Sequence, residues 1–255
     1  MKTRKQSKLS WATVILMAAV VGFLGGCSSD DDDPDEGTDS STTDGGSTDS
    51  GGTDGGSTDG GGTDGGAIAD LVFSLSPAEQ VPPVTADGAT GEANLSFDPS
   101  NNGLSGSVSA SGLSGDASAA HIHQGFAGMS GGVVVGLEAG ATANVFNVPA
   151  DTILTADQTT ALLRGEMYVN VHTVANADGE VRGQIVPAGV SVIRTSLSGD
   201  QEVPPVSTSA TGEGVVTLHE SSYGIWATVI VSGLDEATAA HIHQAAAGEN
   251  GSVWY

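Results

Sequence analysis

Basic side chains are scarce in this chain. Lys plus Arg number 7 against 31 Asp plus Glu, a formal charge of −24 over 255 residues. Four of the seven bases (Lys2, Arg4, Lys5 and Lys8) precede residue 10, and after them only Arg164, Arg182 and Arg194 remain. So acidic a surface repels phosphate-rich partners, which excludes nucleic acid and direct binding of the folded part to anionic lipid. Cysteine occurs once, at Cys27, so no disulfide forms within the chain and no paired-cysteine metal or redox motif exists. Aromatics make up 4% of residues, and any core must be built from aliphatic and small side chains. Walker loops and zincin helices are missing too. Gly128-Met-Ser-Gly-Gly132 fits a nucleophile-elbow pattern but lacks the strand-to-helix setting, so no catalytic residue is assigned.

What is present begins with an export signal over residues 1–27. A basic start leads into an apolar run from Trp11 to Leu24, short for a membrane span, and then Leu24-Gly25-Gly26-Cys27. This ending resembles the lipobox of bacterial lipoproteins, which implies that Cys27 is acylated and becomes the mature N-terminus. Ser28, where an aspartate would resemble the inner-membrane retention signal, implies the outer membrane. The expected location is therefore the cell envelope, periplasmic or surface-facing, with the lipid as the membrane contact.

Residues 28–66 are read as a disordered acidic tether of Gly, Ser, Thr and Asp. Carboxylates recur through it and no apolar residue supplies a core. As a flexible coil it reaches roughly 33 Å. The same lack of apolar residues argues against a calcium-binding β-roll, which needs one in every turn.

From residue 67 the chain is written twice. Phe73 to Val84 returns as Thr195 to Val206, each ending Val-Pro-Pro-Val, and Gly112-Leu113 returns as Gly233-Leu234. Ala120-His121-Ile122-His123-Gln124 returns as Ala240-His241-Ile242-His243-Gln244. Copy one covers 67–188, and copy two covers 189–255, just over half of the pattern. Alternating runs (Glu92 to Phe97, Gly106 to Ala110, Met167 to His172, Tyr223 to Val231) are punctuated by turn residues every eight to twelve positions. That pattern predicts an all-β, antiparallel Greek-key β-sandwich or barrel. Val-Pro-Pro-Val belongs at an edge or corner, because proline donates no ladder hydrogen bond. One short helix is expected after the capping box Thr155 to Gln158, with Ala161, Leu162 and Leu163 as its apolar face and Gly165 as its stop. A tight hairpin turn is expected at Asp178-Gly179.

Four of the six histidines sit in the two His-x-His motifs. On a strand, residues two apart share a face, so His121 and His123 point one way, and Tyr168, Asn170 and His172 share a face on a later strand. If these faces meet, three imidazoles converge, a donor set suited to copper or zinc that leaves a coordination position open. Arg182 would lie near such a site. The competing reading is a buried hydrogen-bond hub. His241 and His243 lack a third member, because the given sequence ends before any counterpart of His172, and His219 lies outside the pattern.

Taken together, Val-Pro-Pro-Val, the Ser-Gly-Leu turn, Ala-His-Ile-His-Gln-Gly, Tyr-Val-Asn-Val-His-Thr and Gly-Glu-Val-Arg-Gly-Gln-Ile resemble the CHRD domain, the repeat named after chordin. The resemblance spans copy one and the first half of copy two. It implies a β-sandwich of extracellular proteins, with a non-enzymatic binding or structural role toward an unidentified extracellular ligand. A weaker resemblance, to copper/zinc superoxide dismutase, would make His121, His123 and His172 copper ligands and Arg182 a guide for an anionic substrate. The bridging histidine, zinc loop and cysteine pair of that family are missing here. The two expectations are a lipid-anchored binding module and, as its rival, a copper- or zinc-binding protein.

Overall fold

The computed structural model describes residues 12–17, through their backbone, and 69–254. The lipobox with Cys27 and the acidic tether lie outside the described residues. Of the apolar run near the N-terminus, Ala12–Met17 forms strand β1.

Copy one contributes nine strands. Five of them, β2 (Ala69–Leu75), β3 (Thr90–Asp98), β4 (Gly103–Ser111), β7 (Glu138–Ala139) and β8 (Val145–Asn147), form a sheet in the order β2-β3-β4-β8-β7. The others, β5 (Ala117–Gln124), β6 (Val133–Gly136), β9 (Met167–Thr173) and β10 (Val181–Ile185), form a second sheet in the order β10-β9-β5-β6. All pairings are antiparallel, and the chain crosses between the sheets three times, as the sandwich expectation requires.

The alternation seen in the sequence accounts for the core. Leu71, Leu75, Ala93, Leu95, Phe97, Leu104 and Val108 from the first sheet meet Ala120, Ile122, Met167, Val169, Val171, Val181 and Ile185 from the second. Each large aliphatic side chain buried there contributes about 1.5–3 kcal/mol, which is how a chain poor in aromatics still builds a core. One side of the sandwich is closed as in a barrel: Ser76 and Arg182 exchange backbone hydrogen bonds of 2.8 and 3.1 Å, joining the end of β2 to β10. The Val-Pro-Pro-Val segments at 81–84 and 203–206 lie outside the strands, each following a 3₁₀ turn, as proline demands.

Helix α1 (Ala156–Leu163) starts on the expected capping box, in which Thr155 and Gln158 each accept from the other's backbone N–H. It ends before Gly165, which sits at φ +69°. Ala161 and Leu162 face the core, but Leu163 is 48% exposed. At about 100° per residue, three consecutive side chains cannot share one narrow face, so the expected apolar face is one residue too wide. The β9–β10 turn also differs from expectation. Asp178-Gly179 is part of a longer connection, 174–180, folded around Asn176, whose carbonyl accepts from Thr173 N (3.3 Å) and Gly179 N (3.0 Å).

Copy two supplies β11 (Val190–Ser198), β12 (Thr211–His219) and β13 (Gly224–Ser232), with β1 along the far side of β13 in the order β1-β13-β12-β11. A separate two-stranded ribbon pairs β14 (His243–Gln244) with β15 (Ser252–Val253). Among the described residues, no helix is long and apolar enough to cross a membrane.

Candidate metal centre

Strands β5 and β9 are hydrogen-bonded neighbours, with His121 opposite Asn170, His123 opposite Tyr168, and Ala119 opposite His172. The three histidines therefore share one face of a single sheet. They do not meet across two facing surfaces, as the alternation alone would suggest. The core takes Ala120, Ile122, Val169 and Val171, which leaves His121, His123, Tyr168, Asn170 and His172 on the outer face of the second sheet. Loops 125–131 and 174–179 and the Val81–Val84 strap flank it.

The imidazoles converge, with ring centroids 4.9 Å (His121–His172), 5.6 Å (His121–His123) and 6.0 Å (His123–His172) apart. One nitrogen from each lies within 4.8 Å of the others, and His121 Nδ1 and His172 Nε2 are 3.0 Å apart. Backbone carbonyls orient two of the rings. His123 donates from Nδ1 to Gly131 O at 3.0 Å, and His172 donates from Nδ1 to Ala177 O at 3.0 Å. A carbonyl accepts only from N–H, so each ring carries a proton on Nδ1, and the tautomer with this bond presents an unprotonated Nε2. This is the arrangement by which outer partners aim metal-ligating histidines. His123 Nε2 is buried and has no hydrogen-bond partner among the side chains described. An orphaned lone pair in the interior is costly unless something binds it.

Burial is the main cause holding His121 below the ordinary imidazole pKa, and the neighbouring His172 adds to it. Burial likewise depresses His123; the Gly131 carbonyl opposes the shift, while His121, His172 and Arg182 reinforce it. Both rings are therefore neutral at neutral pH, the form that ligates metal.

The rest of the face is a polar network. Tyr168 stacks on His123 (centroids 4.9 Å, 9° between planes), and its hydroxyl accepts from Gly131 N at 3.0 Å. Arg182 is 1% exposed, and its Cζ lies 3.5 Å from the centre of the Tyr168 ring. It donates through Nη1 to Met129 O (2.8 Å) and through Nη2 to Phe126 O (3.2 Å) and Gln184 Oε1 (3.1 Å). Burial lowers the Arg182 pKa to about 10, so the side chain stays charged at neutral pH. Gln80 donates to Asn170 Oδ1 at 2.6 Å, and Asn170 donates to Asp178 O at 3.0 Å. A cavity of about 440 Å³ opens beside His123, bordered by Val81, Tyr168 and Arg182.

Copy two reproduces part of this geometry. His241 and His243 have ring centroids 5.9 Å apart, and His243 donates from Nδ1 to Gly251 O at 3.0 Å, as His123 does to Gly131. Both rings are exposed, and only His243 and Gln244 are in strand. In copy one β5 is paired on both sides, by β9 and β6, whereas its counterpart has only the β6 equivalent. Among the described residues, His121, His123 and His172 are the one group of ligating side chains close enough to share an ion.

Sequence reasoning passes over Gly131, although the two copies hold the clue. A glycine follows the second histidine by eight residues in both. A Cβ on Gly131 would collide with Gln124 O, and one on Gly251 with Gln244 O.

These features define a protein of antiparallel β-sandwich modules in tandem, the first carrying a histidine cluster on an outer sheet face. The CHRD domain family model matches residues 71–185 and 193–255, and the chain belongs to that family. Membership is the mark of a non-enzymatic binding or structural module. The chain is similar to chordin of Danio rerio, 32% identical over 99 residues, and to chordin of Xenopus laevis, 34% identical over 93 residues. These segments cover 34% and 32% of this chain and 10% of each chordin, so the similarity spans about a tenth of the length of those relatives. No solved structure matches.

Proposed function

We propose that this is a lipid-anchored cell-envelope protein whose first CHRD module binds a transition-metal ion, copper or zinc, through His121, His123 and His172. The observation that carries this reading is the convergence of three imidazole nitrogens within 4.8 Å, with the Nδ1 atoms of His123 and His172 engaged by backbone carbonyls. Tetrahedral bonds of about 2.0–2.1 Å place the nitrogens roughly 3.3–3.4 Å apart, so the cluster, whose nitrogens lie within 4.8 Å of one another, closes on the ion. Three imidazoles leave a position for water or an exogenous ligand, and the cavity beside His123 gives that ligand room.

The role is binding rather than turnover. Arg182 gives its Nη atoms to Met129, Phe126 and Gln184, which supports holding of the loop and not guidance of an anionic substrate. The acylated Cys27 is the proposed membrane contact, with the acidic segment 28–66 holding the modules off the outer membrane.

Metal content of the full chain, followed by titration with Zn²⁺ and Cu²⁺, tests the first part. Binding that is indifferent to replacement of all three histidines overturns it. For the anchor, Cys27→Ser is expected to release the protein from the membrane fraction, and retention of the variant there contradicts lipidation.

A further inference from the structure

The two copies differ most on the outer face of one strand ladder. In copy one the outer face of the β3–β4 ladder is polar, with cross-strand pairs Asn94–Ser107, Ser96–Ser105 and Glu92–Ser109. At an offset of 121 the same ladder positions in copy two are Val215–Thr228, Thr217–Trp226 and Glu213–Ile230. Val215, Thr217 and Thr228 are at most 2% exposed, and Ile230 is 6% exposed. A face that is solvated in copy one is thus buried in copy two.

The loop that serves the histidine site packs against part of this face. Trp226 stacks on Phe126, with centroids 4.7 Å apart and 18° between the planes. A Cβ on Gly128 would sit 3.2 Å from Val215 and 3.4 Å from Thr228, so the copy-two sheet lies directly on the loop backbone. The same loop offers Phe126 O and Met129 O to Arg182, and Gly131 O to His123. It is therefore held from below by Arg182 and from outside by Trp226. The contact runs one way, since Ala246 replaces Phe126 in the copy-two loop and Ser105 replaces Trp226 in the copy-one sheet. Each aromatic exists only where it meets the other.

We infer that copy two acts as a clamp on the metal-site loop of copy one, with Trp226 as a positioning residue for His123; the consequence for metal rests on the metal-binding reading above. The stack fixes Phe126, and through the short 126–131 segment it fixes the Gly131 carbonyl that holds the His123 ring in its ligating orientation. An unclamped loop lets that carbonyl, and the ring, wander.

Amide hydrogen exchange and Zn²⁺ titration on the full chain test the clamp in wild type, Trp226→Ala and Trp226→Phe. Trp226→Ala is expected to speed exchange of the Gly125, Met129 and Gly131 amides about tenfold while the β3 and β9 amides stay protected. It is also expected to weaken Zn²⁺ about tenfold, the usual effect of losing an outer partner of a ligand. Trp226→Phe, which keeps a ring for the stack, stays near wild type in both readouts. Unchanged loop exchange in Trp226→Ala, or faster exchange spread equally through the copy-one core, overturns the clamp. A wild-type chain that binds no Zn²⁺ overturns the metal reading alone, because loop exchange still decides the clamp.

Discussion

Nδ1 of His121 lies 3.0 Å from Nε2 of His172. With Nδ1 of His172 donating to Ala177 O, the Nε2 of that tautomer accepts an N–H from His121. Two donors at that spacing, each about 2.0–2.1 Å from an ion, subtend roughly 95° at the metal. The hydrogen bond thus keeps the pair in near-ligating geometry. On the proposed metal reading, ligation through His121 Nδ1 requires its proton to move to Nε2, so that the ring binds as a neutral imidazole.

Stoichiometry follows from the single three-histidine cluster among the described residues. His241 and His243 are exposed and lack a third ligand among the described residues. The full chain is expected to bind one Zn²⁺ with the higher affinity. Replacing His241 and His243 together by alanine should leave that affinity within about twofold, as expected for residues outside the site. Isothermal titration of the double variant checks this.

Gly131→Ala is expected to damage both fold and site. The new methyl collides with Gln124 O, and the loop must shift away from Tyr168 and His123. Overpacking of this kind costs about 1–3 kcal/mol, read as a lower urea midpoint. Metal affinity should fall with it, while Gly132→Ala, whose Cβ meets nothing within 4 Å, serves as the control.

Glu180 is one contributor to acid stability. It is fully buried and accepts from Ser114 N, Ser114 Oγ and Thr173 Oγ1, each at 2.6 Å, and from Asn176 Nδ2 at 3.0 Å. Burial alone would raise its pKa, but these four donors outweigh it and hold the carboxyl below the ordinary range. The stabilisation is therefore complete above the unfolded-state value of about 4.3 and is lost as pH falls from there through the lower folded value. Glu180→Gln is expected to cost about 1–3 kcal/mol at neutral pH, because its amide NH₂ now faces donors. It should also flatten the loss of stability below pH ~4.3. Denaturation midpoints across about pH 3–7 for both proteins check the sign.

Thr155→Ala tests the helix start. Loss of the capping hydroxyl, which accepts from Gln158 N at 3.2 Å, is expected to cost about 1 kcal/mol. Thr155→Ser should restore most of it.

Much of this architecture is legible in the residue order, and the rest is not for definable reasons. Alternation over Met167–Thr173 correctly groups Tyr168, Asn170 and His172, because side-chain direction on a strand is a local property. That β9 lies beside β5, placing His172 one step from His121, is a pairing between distant segments, and no local pattern encodes it. The capping box marks the first turn of α1, yet it does not place Leu163, since burial depends on what the helix packs against. The residue order brings Arg182 to the site but does not reveal that it braces a loop, because its burial under loop 126–129 comes from tertiary packing. Phe126 and Trp226 carry no signal individually. Only the comparison of each with its counterpart, Ala246 and Ser105, marks them as a pair.

The central claim is that His121, His123 and His172 together hold a metal ion. Its most direct measurement is Zn²⁺ titration of the full chain beside the His121→Ala, His123→Ala and His172→Ala variants, with circular dichroism confirming the fold of each. The account predicts a single high-affinity site in wild type, weakened by more than about 100-fold in every variant, since each removes one of three protein ligands. Equal affinity in wild type and all three variants would contradict it.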